Sequence, residues 1–160
     1  MKRIISVLAI MLALTVMLNL SACGEKNKEN SSGDMNSSTA TYKDGEYKAS
    51  AAKFDSQGYK PYVNITVRDG KIYSIDCDAE HSDGGTKKDH SESGRYNMKE
   101  GGAQYEWHEE IAIFEQYVTE NGFENVILDT SGKTDAITGC TIAVSEYVEL
   151  MKKALKKAKG

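Results

Sequence analysis

Cysteine is scarce in this chain: three stand in 160 residues, Cys23, Cys77 and Cys140. They form no paired-cysteine pattern of the kind that fixes a structural zinc ion. Other motifs that carry chemistry by themselves are missing too. The chain has no glycine-rich phosphate loop ending in Gly-Lys-Ser/Thr, no Ser-His-Asp constellation and no His-x-x-x-His spacing. Positive charge is not in excess: 20 Lys and Arg face 24 Asp and Glu, a formal net charge of −4. That acidic balance argues against nucleic acid as a partner. One sustained apolar run exists, and it stands at the start.

Lys2 and Arg3 precede an almost unbroken apolar stretch from Ile4 to Leu18, followed by Leu20-Ser21-Ala22-Cys23. A short apolar run with a basic flank and small residues after it reads as a secretory signal over residues 1–22, not as a spanning helix. The last four residues resemble a bacterial lipobox, with cleavage before Cys23. An ordinary signal peptide or an uncleaved anchor is the alternative. The lipobox resemblance implies acylation of Cys23, and two or more acyl chains hold a protein stably on a bilayer. The expected location is the extracytoplasmic side of the cell membrane, lipid-anchored. Residues 23–41 are rich in Ser, Asn and charge, with almost nothing to bury, and read as a disordered tether. What remains, residues 42–160, is the size of one domain.

Within that domain Tyr47, Ala49 and Ala51 alternate on one side, as do Val63, Ile65 and Val67. Arg68-Asp69-Gly70-Lys71 is a hairpin signal, and Ile72 to Asp78 returns as the partner strand with Tyr73, Ile75 and Cys77 on one face. Residues 81–102 are polar and glycine-containing, without a sustained period, and read as a long loop. His81, Asp83, Asp89, His90 and Glu92 fall there, but no spacing among them fixes a metal, and a solvated loop is the expectation. Gln104 to Asn121 reads as an amphipathic helix with Trp107, Ile111, Phe114 and Val118 inward, stopped at Gly122. Val126-Ile127-Leu128 reads as a short buried strand. The fold class is therefore α+β: a small antiparallel sheet with two main helices packed on it.

The second helix carries the most informative stretch. Asp135-Ala136-Ile137-Thr138-Gly139-Cys140-Thr141 is a short polar turn that leads into Val144, Tyr147, Val148, Met151 and Leu155 at helical spacing. Thr138 suits an N-cap, and Gly139 leaves room for close backbone approach. That reading puts Thr141 in the first helical turn, where free N–H groups seat a phosphate. A capped helix with an incidental Thr is the plainer reading. The lysines at 152, 153, 156, 157 and 159 fall at the end of this helix, where they complement its dipole.

The segment resembles the attachment motif of the FMN-binding domain family, Asp-x-x-Ser/Thr-Gly-Ala-Ser/Thr, found in the covalent-flavin subunits of Rnf- and Nqr-type redox pumps and in small Gram-positive lipoproteins. The front half, with Asp44-Gly45-Glu46-Tyr47 and Val67-Arg68-Asp69-Gly70-Lys71-Ile72, is similar to that family in the same order. The resemblance implies FMN as cofactor, carried over from FAD by an FAD:protein FMN transferase and joined by a phosphodiester to Thr141. Asp135, Thr138 and Gly139 would be the rest of the recognised motif. Cys140 departs from the usual Ala but is small enough for its place. Tyr96, Asn97 and Met98 are implied as flavin-pocket candidates, with ordinary loop packing as the alternative. Trp107 is in the same position, between flavin contact and core.

With Cys23 lipidated, Cys77 and Cys140 are left to pair or stay free in an oxidising exterior; both suit small apolar positions, and free thiols are the expectation. Taken together, the resemblance implies a membrane-tethered flavoprotein, an electron carrier more than a stand-alone enzyme, with its redox donor and acceptor unspecified. A small extracellular flavin-dependent reductase and a non-redox lipoprotein that binds a ligand or partner are the other readings.

Overall fold

Alternating apolar residues build a three-stranded antiparallel sheet in the order β1 (Gly45–Ser50), β2 (Tyr59–Arg68), β3 (Lys71–His81). The computed structural model describes residues 42–159. The signal segment of residues 1–22, the Cys23 lipidation site and the tether through residue 41 lie outside the described residues. Val63, Ile65 and Val67 point inward from the central strand and are all but fully buried. Arg68 faces Lys71 across a two-residue turn in which Asp69 and Gly70 have φ of 52° and 73°. Both central residues are left-handed, as the tight turn between right-twisted strands requires.

The third strand departs from simple alternation. Ile65 pairs with Ile75, but Val67 pairs with Ile72, because a bulge interrupts the register between Thr66 and Val67. An extra residue on one strand reverses the facing of its neighbours on the far side of the bulge. Tyr73 therefore does not share a face with Ile75 and Cys77. It is 58% exposed, with the Arg68 guanidinium 4.0 Å above its ring, while Ile72 turns toward the core.

The segment from His81 to Gly102 is not an unstructured loop. It contains a short helix, α1 (Lys87–Glu92), started by a capping box in which Thr86 and Asp89 satisfy each other's backbone N–H. At six residues it is too short to show a helical period. The chain then passes through a 3-10 turn at Lys99–Gly101 into α2 (Trp107–Asn121). That helix begins later than Gln104, with Glu106 at its cap and the Glu106 N–H donating to Glu109 Oε2 at 2.8 Å. Its inward stripe holds Trp107, Ile111, Phe114 and Val118, as expected, and also Glu110.

Val126-Ile127-Leu128 forms no strand. Val126 is buried, but Ile127 is 79% exposed. The sheet edge at β3 is already used at Cys77, whose N–H donates to Glu115 Oε1 at 2.6 Å. A three-residue apolar run cannot by itself distinguish a strand from a buried loop. The last helix, α3 (Ser145–Leu155), buries Tyr147, Val148, Leu150, Met151, Ala154 and Leu155. It covers β1 and β2 while α2 covers β3. The two ends of the domain meet, since Lys43 N–H donates to Ala158 C=O at 2.8 Å. Among the described residues no helix is long and apolar enough to cross a membrane.

This packing separates two apolar residues that the sequence treats alike. Replacing fully buried Phe114 with Ala should cost about 3–5 kcal/mol through lost burial and a cavity. Replacing exposed Ile127 with Ser should change stability by less than about 0.5 kcal/mol. Denaturant midpoints of the two variants test this; a large loss for Ile127→Ser would mean that the segment is paired after all.

Candidate functional site

Six of the seven residues from Asp135 to Thr141 sort by burial into two sets. Asp135, Ala136, Thr138 and Thr141 are exposed, whereas Ile137 and Cys140 are buried. The apolar pair pins the segment to the core and turns the polar residues outward. Ile137 to Cys140 is a β-turn, closed by the Cys140 N–H on the Ile137 C=O at 3.1 Å. Gly139 sits at its third position with φ of 86°. A Cβ there would stand 3.1 Å from Ile113 Cδ1 and 3.4 Å from the Tyr105 ring. Glycine is thus required twice at this position, by its left-handed backbone and by the closeness of its neighbours.

Thr138 is not an N-cap, and Thr141 is not in a helical turn. The helix begins at Ser145, with Val144 at its cap and no side-chain cap bond. The early N–H groups have other partners: Val144 and Ser145 both donate to the Gly132 C=O, at 2.8 and 3.1 Å. Thr141 and Ile142 N–H donate to Glu110 Oε2, the latter at 3.0 Å. The Thr141 hydroxyl completes the arrangement, 2.9 Å from Glu110 Oε1 and 3.0 Å from Oε2. Glu110 is 1% exposed. Among the described residues it has no ion-pair partner. A buried carboxylate without a cation must be satisfied by hydrogen bonds, and these donors come from the candidate attachment segment and the residue after it.

An aromatic cluster gathers round Lys87. Lys87 Nζ sits 4.9 Å from the Tyr59 ring, 4.3 Å from Tyr96 and 5.0 Å from Trp107. Burial lowers the pKa of this lysine from its ordinary value. The next residue has the opposite surroundings. Lys88 Nζ bridges Asp76 and Glu115 at 2.7 and 2.8 Å, and these bonds outweigh burial and raise its pKa. Tyr59 in turn meets His90 Nδ1 at 2.9 Å, with Arg95 3.1 Å from the other ring nitrogen. Trp107 and Glu110 are three residues apart on one buried face of α2. Such neighbours lie about 5–6 Å apart at Cβ, so Trp107, one member of the aromatic cluster, stands next to Glu110 along the helix.

The other sequence candidates divide. Tyr96 is half-buried in this cluster, edge-on to Tyr59 at 5.8 Å. Asn97 instead accepts the Glu100 N–H at 3.0 Å, and the Met98 N–H donates to Glu106 Oε2 at 2.8 Å, which are loop-packing roles. Trp107 is both core and cluster, 3% exposed with its ring toward Lys87. Cys77 and Cys140 are free and buried. Among the described residues no group of three or more His, Cys, Asp or Glu is placed to hold a metal. Sequence reasoning missed Glu110 and Lys87. A carboxylate on the inward stripe of α2 was a visible signal for the first. Nothing local marked the second, whose surroundings come from three separate segments.

Comparison with known proteins agrees with the order of these elements. The family model for the FMN-binding domain matches residues 58–156. A protein from Clostridium thermocellum, solved by solution NMR, is 43% identical over 74% of this chain and 93% of its own, with a TM-score of 0.56. A protein from Clostridium perfringens, solved by crystallography, is 30% identical over 73% of this chain and 88% of its own, also with a TM-score of 0.56. No match is found among the curated proteins.

Burial pushes the Cys140 thiol up to about 11, with the Glu110 carboxylate adding to the effect, and raises Cys77 as well. The thiolate is the nucleophile, so a raised pKa suppresses reaction at neutral pH. Both thiols should resist an alkylating reagent at about pH 8 in the native protein and react once it is unfolded. Native labelling of Cys140 at the rate of a free thiol would contradict this burial.

Proposed function

The chain belongs to the FMN-binding domain family, and from that premise we propose that it is a lipid-anchored, extracytoplasmic electron carrier with FMN joined by a phosphodiester to Thr141. FMN is its cofactor. The observation that carries the attachment is the placing of Thr141: an exposed residue whose hydroxyl is held by a buried carboxylate, in a turn pinned by Ile137 and Cys140. The exposure of this residue gives an FAD:protein FMN transferase a path to it. Asp135 and Thr138, exposed on the same segment, are available for that enzyme to read.

The surroundings fit the cofactor. Half-buried Tyr96 and the Lys87 ammonium would hold the ring, with buried Trp107 packed behind them, giving an aromatic surface and a cation for the negative charge gained on reduction. Bound there, FMN supplies transfer of one or two electrons. Lys87 would steady the added charge, and the neighbouring aromatic residues would limit the access of water. Covalent attachment suits an exported carrier, because a cofactor lost outside the membrane is not recovered. The anchor at Cys23 and the tether of residues 23–41 let the domain move between a donor and an acceptor. Nucleic acid has no part in this reading.

Three measurements test it. Full chain from a host with an active transferase should gain the mass of one FMN less one water, mapped to the Thr141 peptide, and Thr141→Ala should lose that gain while keeping its fold. Unchanged covalent flavin in that variant would place the attachment elsewhere. In the loaded protein, Lys87→Met should lower the flavin midpoint potential, since removing a nearby cation disfavours the reduced, more negative form. An unchanged potential would put the ring away from Lys87. Steady turnover of a soluble acceptor by the loaded protein alone would instead favour a reductase.

A further inference from the structure

Glu110 holds the acceptor hydroxyl in an arrangement that does more than fix a turn. The Thr141 Oγ1 lies 2.9 and 3.0 Å from its two carboxylate oxygens, so either oxygen can accept the hydroxyl hydrogen. The carboxylate is 1% exposed and, among the described residues, faces no Lys, Arg or His within ion-pair distance. The Cys140 thiol beside it is kept protonated by burial. A dry carboxylate, hydrogen-bonded to a hydroxyl that must lose its proton, has the geometry of a general base.

We propose that Glu110 accepts the proton of Thr141 during flavin attachment, so that the acceptor protein supplies a catalytic group for its own modification. This rests on the covalent reading above. Thr141 Oγ1 forms a new bond to the FMN phosphorus of FAD. The bond from that phosphorus to the AMP oxygen breaks, and AMP leaves with the bonding pair. The proton from Oγ1 passes to a Glu110 carboxylate oxygen, which balances the charge within the site.

The same proton explains how the product fits the fold. An esterified Oγ1 has no hydrogen to donate, so the bond to Glu110 ends when the ester forms. An ionised Glu110 would then face a phosphodiester anion at close range, and like charges repel. A protonated Glu110 faces it as a neutral acid instead. The N–H groups of Thr141 and Ile142 remain to hold the turn.

The test uses full chain purified in detergent without flavin, incubated with purified transferase and FAD, with intact mass followed over time. Glu110→Gln keeps the size and an oxygen acceptor for the turn but cannot take the proton. It should lower kcat for attachment at least tenfold with the KM for the acceptor protein unchanged, while Glu110→Asp retains part of kcat. A purely structural role predicts a raised KM or an unfolded protein, with kcat at saturation restored. Equal kcat for wild type and Glu110→Gln overturns the inference. If Glu110→Gln fails to fold, Glu110→Asp decides: a carboxylate drawn back by one methylene should cut kcat, and an unchanged kcat overturns the proposal. A wild-type chain left unmodified while the transferase loads a control acceptor would instead defeat the covalent reading itself.

Discussion

One buried carboxylate organises the functional end of this domain. Glu110 projects from the inward stripe of α2, in a position that would otherwise hold an apolar residue, and among the described residues it has no cation beside it. Taking an ionised group out of water is costly unless its lone pairs are filled. Three donors fill them, all from Thr141 and Ile142. The requirement runs both ways: the segment needs acceptors for its free N–H groups, and the carboxylate needs donors. Each fixes the other, and Thr141 is thereby set on the surface with its hydroxyl oriented.

That pairing also explains why α3 starts where it does. The N–H groups that would open a helix at Ile142 are already engaged by Glu110, and those of Val144 and Ser145 by the Gly132 carbonyl. The β-branched residues Thr141, Ile142 and Val144 lose little by remaining outside a helix. The proposed seat for a phosphate is therefore not a helix N-terminus but the hydroxyl of an exposed threonine, held by a buried acid. Electrostatically these differ in sign: a helix start attracts an anion, whereas a carboxylate repels one unless it is protonated.

The small helix α1 contributes the rest. Its two adjacent lysines point into unlike surroundings, Lys88 into carboxylates and Lys87 into aromatic rings. Lys88 ties α1 to β3 and α2 by neutralising Asp76 and Glu115, which steadies the helix that presents Lys87. Capping by Thr86 and Asp89 does the local part of the same work. A segment that is polar in sequence thus supplies the cation of the proposed ring seat, and it does so through contacts with residues far along the chain.

Much of the domain was legible from local pattern. Alternation at Val63, Ile65 and Val67, the Asp69-Gly70 turn, the stripe of α2 and the spacing from Val144 to Leu155 each reflect a period imposed by backbone geometry, so they survive into the fold. The motif from Asp135 to Thr141 was legible for the same reason, being contiguous. The bulge that turns Tyr73 outward, the irregular path of Val126 to Leu128 and the helix α1 were not, because each is decided by register, edge occupancy or capping between separate segments. The α+β class, the family and the candidate acceptor Thr141 could all be read from the chain before it folded, since periods and motifs are local. The hold of Glu110 on Thr141 and the seat of Lys87 among Tyr59, Tyr96 and Trp107 came into view only with the folded chain, since a buried charge finds its partners across space.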